Sequence, residues 1–272
     1  MLVLGHRGAR WRALENTVAA LRIAYEEGAD GVEFDVQVSK DREPVLFHDD
    51  SLAAMTGRDA EVSALPLREL TQLDVRDRHG HHGRIEHLDA ALELLLGRGG
   101  VCNLELKVVG DSGPYLVDAV VRRLQAAGLL TSVRPTALGA AEPAGHGPGW
   151  VISSFHRRTL ERCVGAGLTL DLAALIDEEA CDFAPLAGVG DRAVAALAVA
   201  ASSSHGGLRA IHPHHSLVDA ARLELWRSAG CQVRPWTVNA PTRWAQLREA
   251  GLDALITDDP GGARAYLDRA AP

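Results

Sequence analysis

The 272-residue sequence is poor in aromatic residues, at 4%, so any sizeable core has to be built from Leu, Val, Ile and Ala. Hydrophobic residues as a whole reach 47%, enough for a large core without disulfides or a structural metal. Cysteine is scarce. The four present, Cys102, Cys163, Cys181 and Cys231, form no CxxC pair, which argues against a metal ribbon or a thioredoxin-like redox site. Scattered in this way, they read as reduced and mostly buried thiols of a cytosolic protein. There is no excess of basic charge either. A net charge of −8 and a pI near 5.8 argue against general nucleic-acid binding, which needs a basic face. No apolar run approaches the roughly 18 residues that a membrane span requires. Met1-Leu2-Val3-Leu4 runs straight into Gly5-His6-Arg7-Gly8, leaving no room for the apolar stretch of a signal peptide. The sequence therefore predicts a cytoplasmic protein without stable membrane insertion. Its acidity still permits a phosphate substrate, because a bound metal can supply positive charge locally.

Short apolar runs alternate with helical patterns along the chain, which predicts an α/β architecture. Strands are expected at 2–6, 31–38, 44–48, 101–107, 150–154, 168–174, 208–211, 231–238 and 253–257. Helices are expected at 16–27, 65–73, 88–96, 115–127, 157–166, 192–201, 218–229 and 241–250. Gly28, Gly128, Gly167, Gly230 and Gly251 fall where glycine closes a helix. Nine strands are one too many for an eight-stave barrel. The link between 31–38 and 44–48 is too short for a parallel crossover, so those two should form an antiparallel hairpin. The expected fold is a distorted (β/α)8 TIM barrel, one domain over 1–272, with a small insertion at 53–87 that breaks the βα rhythm. A doubly wound open sheet fits less well, since Gly5-His6-Arg7-Gly8 lacks the GxGxxG spacing. Residues 137–149, rich in Gly, Ala and Pro, read as a loop.

Ionisable residues inside strand-like runs are the informative anomaly, because charges are rarely buried without a partner or a metal. The first strand ends in His6-Arg7. In the second, the period of two puts Glu33 and Asp35 on one face. The third leads into His48-Asp49, and the fourth places Glu105 and Lys107 on one face. Taken singly, each has an ordinary explanation: an ion pair, a strand-end hydrogen bonder or a snorkelling lysine. Together they point to a site at one mouth of a barrel. Carboxylates of Glu33, Asp35 and Glu105 converging there would repel one another without a cation, and all-oxygen ligation suits Mg²⁺ or Ca²⁺. Lys107 and Arg7 could meet phosphate oxygens, and histidines from two strands suit acid–base work near neutral pH.

The runs His6-Arg7-Gly8, Glu15-Asn16-Thr17, Gly28-Ala29-Asp30-Gly31-Val32-Glu33-Phe34-Asp35-Val36, Lys40-Asp41, Pro44-Val45 and His48-Asp49 resemble the glycerophosphodiester phosphodiesterase family. Glu105-Leu106-Lys107, Ser154-Phe155, Trp236-Thr237-Val238-Asn239 and Ile256-Thr257-Asp258 with Pro260 follow in the family's order, so the resemblance spans residues 5–260. It implies a barrel of the phospholipase-C-like kind. It further implies one divalent metal ion, Mg²⁺ or Ca²⁺, on Glu33, Asp35 and Glu105, and His6 and His48 as the acid–base pair. Arg7 and Lys107 would lie near the phosphate, Trp236 would line the pocket opposite, and Phe155 would help shape it. The implied reaction is hydrolysis of a small-molecule glycerophosphodiester to an alcohol and glycerol 3-phosphate, through a cyclic phosphate.

Two departures stand out. Leu14 occupies a position where the family usually has proline, and Ile85-Glu86-His87-Leu88-Asp89 replaces its usual Pro-Thr-Leu-Glu, which leaves substrate choice open. Within the superfamily, a lysophospholipase D-like enzyme would want an apolar collar, for which the low aromatic content gives little support. A zinc amidohydrolase is the other barrel reading, suggested by His212-Pro213-His214-His215 and by His79, His81 and His82. That class would place HxH at the end of the first strand, whereas both clusters here read as solvated loop histidines, with His212 able to line the barrel mouth. A barrel that binds diesters without cleaving them has nothing in its favour, because both histidines and all three carboxylates are present.

Overall fold

The computed structural model describes residues 1–130, 149–178, 183 and 208–269. The expected helix at 192–201, Cys181 and nearly all of the 137–149 loop lie outside them. Strand β1 (Leu2–Gly5) leads to helix α1 (Val18–Glu26), β2 (Gly31–Val38) and β3 (Pro44–Leu46). The insertion follows, with α2 (Ala53–Thr56), a 3₁₀ turn at Val62–Ala64, α3 (Leu67–Leu70), β4 (Val75–Arg76) and β5 (His82–Gly83). Then come α4 (Leu88–Leu96), β6 (Val101–Leu106), α5 (Gly113–Ala126), β7 (Gly149–Ser154), α6 (Arg157–Gly165) and β8 (Asp171–Ile176). The chain finishes with β9 (Leu208–Pro213), α7 (Ala220–Ser228), β10 (Gln232–Val233), α8 (Pro241–Glu249), β11 (Ala254–Thr257) and α9 (Pro260–Arg269).

The strands pair in parallel in the order β10-β9-β8-β7-β6-β2-β1-β11, and β3 branches off β2 as the antiparallel hairpin that the short link requires. Past β10, the Ile256 N–H donates to the Pro235 carbonyl and the Val238 N–H donates to that of Ile256, both at 2.9 Å. These bonds bring the last strand against the extended chain after β10, and the parallel eight-strand barrel nearly closes. Side-chain alternation sorts the strands into two faces. Val3, Val32, Phe34, Cys102, Leu104, Ile152, Leu172 and Ile211 face outward into the main core under the helices. Leu4, Val101, Val151, Ala173, Ala210, Ala254 and Ile256 point inward and plug the barrel. Glycine closes α1, α5, α6, α7 and α8 at Gly28, Gly128, Gly167, Gly230 and Gly251, all with positive φ. Cys102, Cys163 and Cys231 are buried, unpaired thiols.

The insertion builds an apolar cluster of its own. Leu52, Val62, Leu65, Leu70, Val75 and Ile85 pack with Leu14, Val45 and Phe47, which tie the segment to the hairpin. Two features depart from the sequence expectation. The first is α9, which lies beyond the last helix expected from the sequence; the Asp259 carboxylate accepts from the Gly262 N–H at 3.1 Å and starts it. The second is His212, which is no loop residue. Strand β9 runs on to Pro213, and that proline takes the last position, pairing with Ile176 and offering its carbonyl to the Trp236 N–H at 3.0 Å. His212 is thereby fully buried inside the barrel. His79 and His82 are exposed, at the β4–β5 turn, as expected of solvated loop histidines. Among the described residues, no helix is long and apolar enough to cross a membrane.

Candidate active site

The C-terminal ends of the parallel strands surround a cavity of about 360 Å³. His6, Arg7, Glu33, His48, Glu105, Lys107, Phe155 and Trp236 all line it, contributed by the ends of β1, β2, β3, β6, β7 and β10. Asp35 joins them through a cluster in which one oxygen from each of Glu33, Asp35 and Glu105 lies within 4.8 Å of the others. In the β2–β6 register Glu33 pairs with Asn103 and Asp35 with Glu105. The acidic cluster therefore follows directly from strand alternation on two neighbouring staves.

The carboxylates are buried and strained against one another. Burial, then the charges of Asp35 and Glu105, hold Glu33 well above the usual carboxylate range. Glu105 is pushed up to about 8 by burial and by Asp35, with Lys107 and Arg7 opposing. For Asp35, burial alone would raise the pKa, but the Arg7 guanidinium, His48, Asn16 and Lys107 outweigh it and bring it down to about 2. Glu33 Oε1 has no hydrogen-bond partner among the described residues. An all-oxygen donor set with an orphaned buried oxygen fits a hard divalent cation.

The loop after β1 folds back to serve this cluster. Arg7 (φ 54) and Asn16 (φ 55) both take left-handed backbone conformations, uncommon for residues other than glycine. The Arg7 N–H donates to Glu33 at 2.9 Å, while its side chain lies 3.1 Å from Asp35 and 2.7 Å from Glu15. Asn16 clamps Asp35 at two points, its amide donating to the carboxylate and its carbonyl oxygen accepting from the Asp35 N–H, both at 2.9 Å. Much of Arg7's charge is thus already directed at Glu15 and Asp35.

Each histidine is held at Nδ1 by a carboxylate. Nδ1 of His6 lies 2.7 Å from Asp258, and Nδ1 of His48 lies 2.8 Å from Asp49. Asn239 braces Asp258, donating to its carboxylate at 2.8 Å and accepting from its N–H at 3.0 Å. Burial alone would raise the Asp258 pKa, yet the hydrogen bond and charge of His6, with Arg10 and Asn239, keep it below the usual range. Burial, then Arg7, lowers the pKa of His6, with Asp258 opposing. Nε2 of His48 lies 3.2 Å from Lys107 Nζ. Trp236 meets Phe155 edge to face at 5.6 Å and donates its indole N–H to the His212 carbonyl at 2.8 Å.

Every residue expected at the phosphodiesterase site is thus gathered at one place, while His79, His81, His82, His214 and His215 of the rival zinc reading do not line the cavity. The sequence reading gave no role to Glu15, Asn16, Asp49, Asn239 or Asp258. All five lie in runs that carry the family resemblance, and that was the available signal.

The sequence profile of the glycerophosphoryl diester phosphodiesterase family matches residues 6–262. A glycerophosphodiester phosphodiesterase of Caldanaerobacter subterraneus subsp. tengcongensis is 28% identical over 262 residues, 95% of this chain and 94% of its own length. The fold is similar to that of an Oleispira antarctica phosphodiesterase solved in complex with its product, sn-glycerol-3-phosphate. The TM-score is 0.79 at 26% identity, covering 98% of this chain and 97% of that one. A Thermotoga maritima glycerophosphodiester phosphodiesterase superimposes with a TM-score of 0.70 at 25% identity, over 97% of both chains. With the profile spanning nearly its whole length, the chain belongs to the glycerophosphoryl diester phosphodiesterase family of phosphoric diester hydrolases.

Proposed function

We propose that the chain is a single catalytic barrel that hydrolyses glycerophosphodiesters to an alcohol and glycerol 3-phosphate, with His6 and His48 as the acid–base pair. One divalent cation, Mg²⁺ or Ca²⁺, is held by Glu33, Asp35 and Glu105. The observation that carries this reading is that two carboxylate-held imidazoles and the three crowded acids serve one cavity. With Nδ1 of each ring held by its carboxylate, Nε2 is the nitrogen that exchanges protons with substrate, that of His48 after parting from Lys107 Nζ, 3.2 Å away.

In the first step one imidazole takes the proton of the glycerol 2-hydroxyl, whose oxygen attacks phosphorus, and the other protonates the departing alcohol. Held on the same molecule, that hydroxyl has a high effective concentration. Water then opens the cyclic phosphate with the two rings in reversed roles. Lys107 offers a point charge to phosphate oxygens, and Arg7 keeps Asp35 ionised. When bound, the cation neutralises charge growing on the non-bridging oxygens. Phe155 and Trp236 form the apolar wall against which the organic part of the substrate rests.

The test is turnover of glycerophosphocholine with Mg²⁺ or Ca²⁺, with release of choline and glycerol 3-phosphate. His6→Ala and His48→Ala should each lower kcat by about 10²–10⁴-fold. Undiminished diester turnover in both variants would overturn the acid–base assignment, and zinc-dependent amide hydrolysis would overturn the reaction class.

A further inference from the structure

Glu33, Asp35, Asn103 and Glu105 form a two-by-two block on the inner face of β2 and β6. Glu33 pairs with Asn103 in one row and Asp35 with Glu105 in the next. Three corners are the crowded carboxylates. The fourth is a carboxamide, fully buried and lining the same cavity. Its two polar atoms are in different situations. Nδ2 lies 3.4 Å from Nδ1 of His212, while Oδ1 has no hydrogen-bond partner among the described residues. Oδ1 is therefore a buried acceptor without a donor, and Glu33, the residue in register with Asn103, has an unpartnered Oε1 as well. A buried polar atom left without a partner costs free energy comparable to a lost hydrogen bond. A cation can satisfy both oxygens at once.

His212 meets the nitrogen end of the carboxamide, with Nδ1 3.4 Å from Asn103 Nδ2. It is fully buried inside the barrel, and its Nε2 has no hydrogen-bond partner among the described residues. With Nδ1 accepting the Asn103 N–H, the amide oxygen is the atom left for the cavity.

Resting on the reading that Glu33, Asp35 and Glu105 bind a cation, we propose that Asn103 Oδ1 is a fourth protein ligand of that site. Ca²⁺ takes 6–8 oxygen ligands and accepts amide carbonyls, whereas Mg²⁺ keeps several of its own waters and gains less from an added protein oxygen.

The experiment is isothermal titration of Ca²⁺ and, separately, Mg²⁺ into chelator-stripped wild type, Asn103→Leu, Asn103→Asp and Glu105→Gln, with folding checked by circular dichroism. Asn103→Leu removes the oxygen at similar volume and should weaken Ca²⁺ binding by about tenfold or more, with a smaller loss for Mg²⁺. Asn103→Asp keeps an oxygen at that corner and should retain Ca²⁺ binding even if the leucine variant folds poorly. In a Ca²⁺-soaked crystal, Oδ1 should lie about 2.3–2.6 Å from the ion. If Glu105→Gln loses Ca²⁺ while Asn103→Leu binds it as wild type does, the fourth ligand is refuted and the carboxylate site stands. If wild type binds neither cation, the underlying reading fails and this inference falls with it.

Discussion

Asp258 Oδ1 sits 2.7 Å from Nδ1 of His6 across a sequence separation of 252 residues, joining the end of the last strand to the end of the first. The contact sets the tautomer of His6 and so decides which nitrogen faces the cavity. Asp258→Asn should leave the fold intact while lowering kcat by about 10²-fold or more, with KM changed little. Steady-state kinetics with glycerophosphocholine measure this, and a KM effect without a kcat effect would assign Asp258 to binding instead.

The carboxylate cluster predicts strong coupling between cation and stability. Ca²⁺ or Mg²⁺ at 100-fold over its dissociation constant should stabilise the fold by about 2.7 kcal/mol. Differential scanning calorimetry of chelated and reloaded protein reads the shift in Tm. Glu105→Gln should abolish the cation-dependent part, and its persistence in that variant would place the binding elsewhere.

Gly8 lies directly beneath the His6-Arg7 turn at φ 80, and a Cβ built there would come within 2.4 Å of the Ala20 carbonyl carbon. Backbone cannot yield as a flexible side chain does. Gly8→Ala should therefore destabilise the protein by more than about 1 kcal/mol and lower kcat as well, because the turn carrying His6 moves. Urea unfolding with a parallel activity assay tests both parts.

The insertion carries its own stability. Leu70 is fully buried in the cluster shared with Phe47 and Leu52. Leu70→Ala should cost about 2–5 kcal/mol by removing that packing. Turnover at low temperature should survive, since the barrel interior is untouched; unchanged stability would show that the cluster relaxes around the gap.

Asp77 gives the pH dependence a definite sign. Its carboxylate accepts from the His79 N–H at 2.8 Å and the His81 N–H at 2.9 Å, and meets the His81 ring at 2.9 Å. Burial opposes but does not outweigh these bonds, and the pKa is lowered from 3.8. The unfolded chain therefore binds its proton first as pH falls. The stabilisation is complete above the unfolded value and is lost below it, through the lower folded value. Chemical unfolding of wild type and Asp77→Asn should differ at about pH 7, and the difference should shrink as pH falls below 3.8 through the lower folded value.

Strand identity was readable in the sequence wherever period-two alternation carried charges, as in Glu33-Phe34-Asp35 and Glu105-Leu106-Lys107. Those residues also gave the site, because a charge on the inner face of a buried stave needs a partner. The hairpin at β3 followed from link length alone. Helix α9 was hidden by Gly261 and Gly262, whose low helix propensity is overcome by the Asp259 cap and by burial of Ala263 and Leu267. His212 falls just past the strand expected at 208–211, and only pairing with the neighbouring strand shows that β9 continues through Pro213. The partners of His6 were out of reach for a simpler reason: no local pattern links position 6 to position 258. Closure of the barrel makes that pair.

Gln37 contributes one amide nitrogen to the carbonyls of Phe47, His48 and Asp49, at 3.2, 3.1 and 2.8 Å. This anchor stands on the barrel side of the junction, upstream of residues 53–87. Any remodelling of that segment, in length or in chemistry, therefore begins downstream of the point where the His48 backbone is pinned. Residues 53–87 can change while the stretch that carries His48 stays in place.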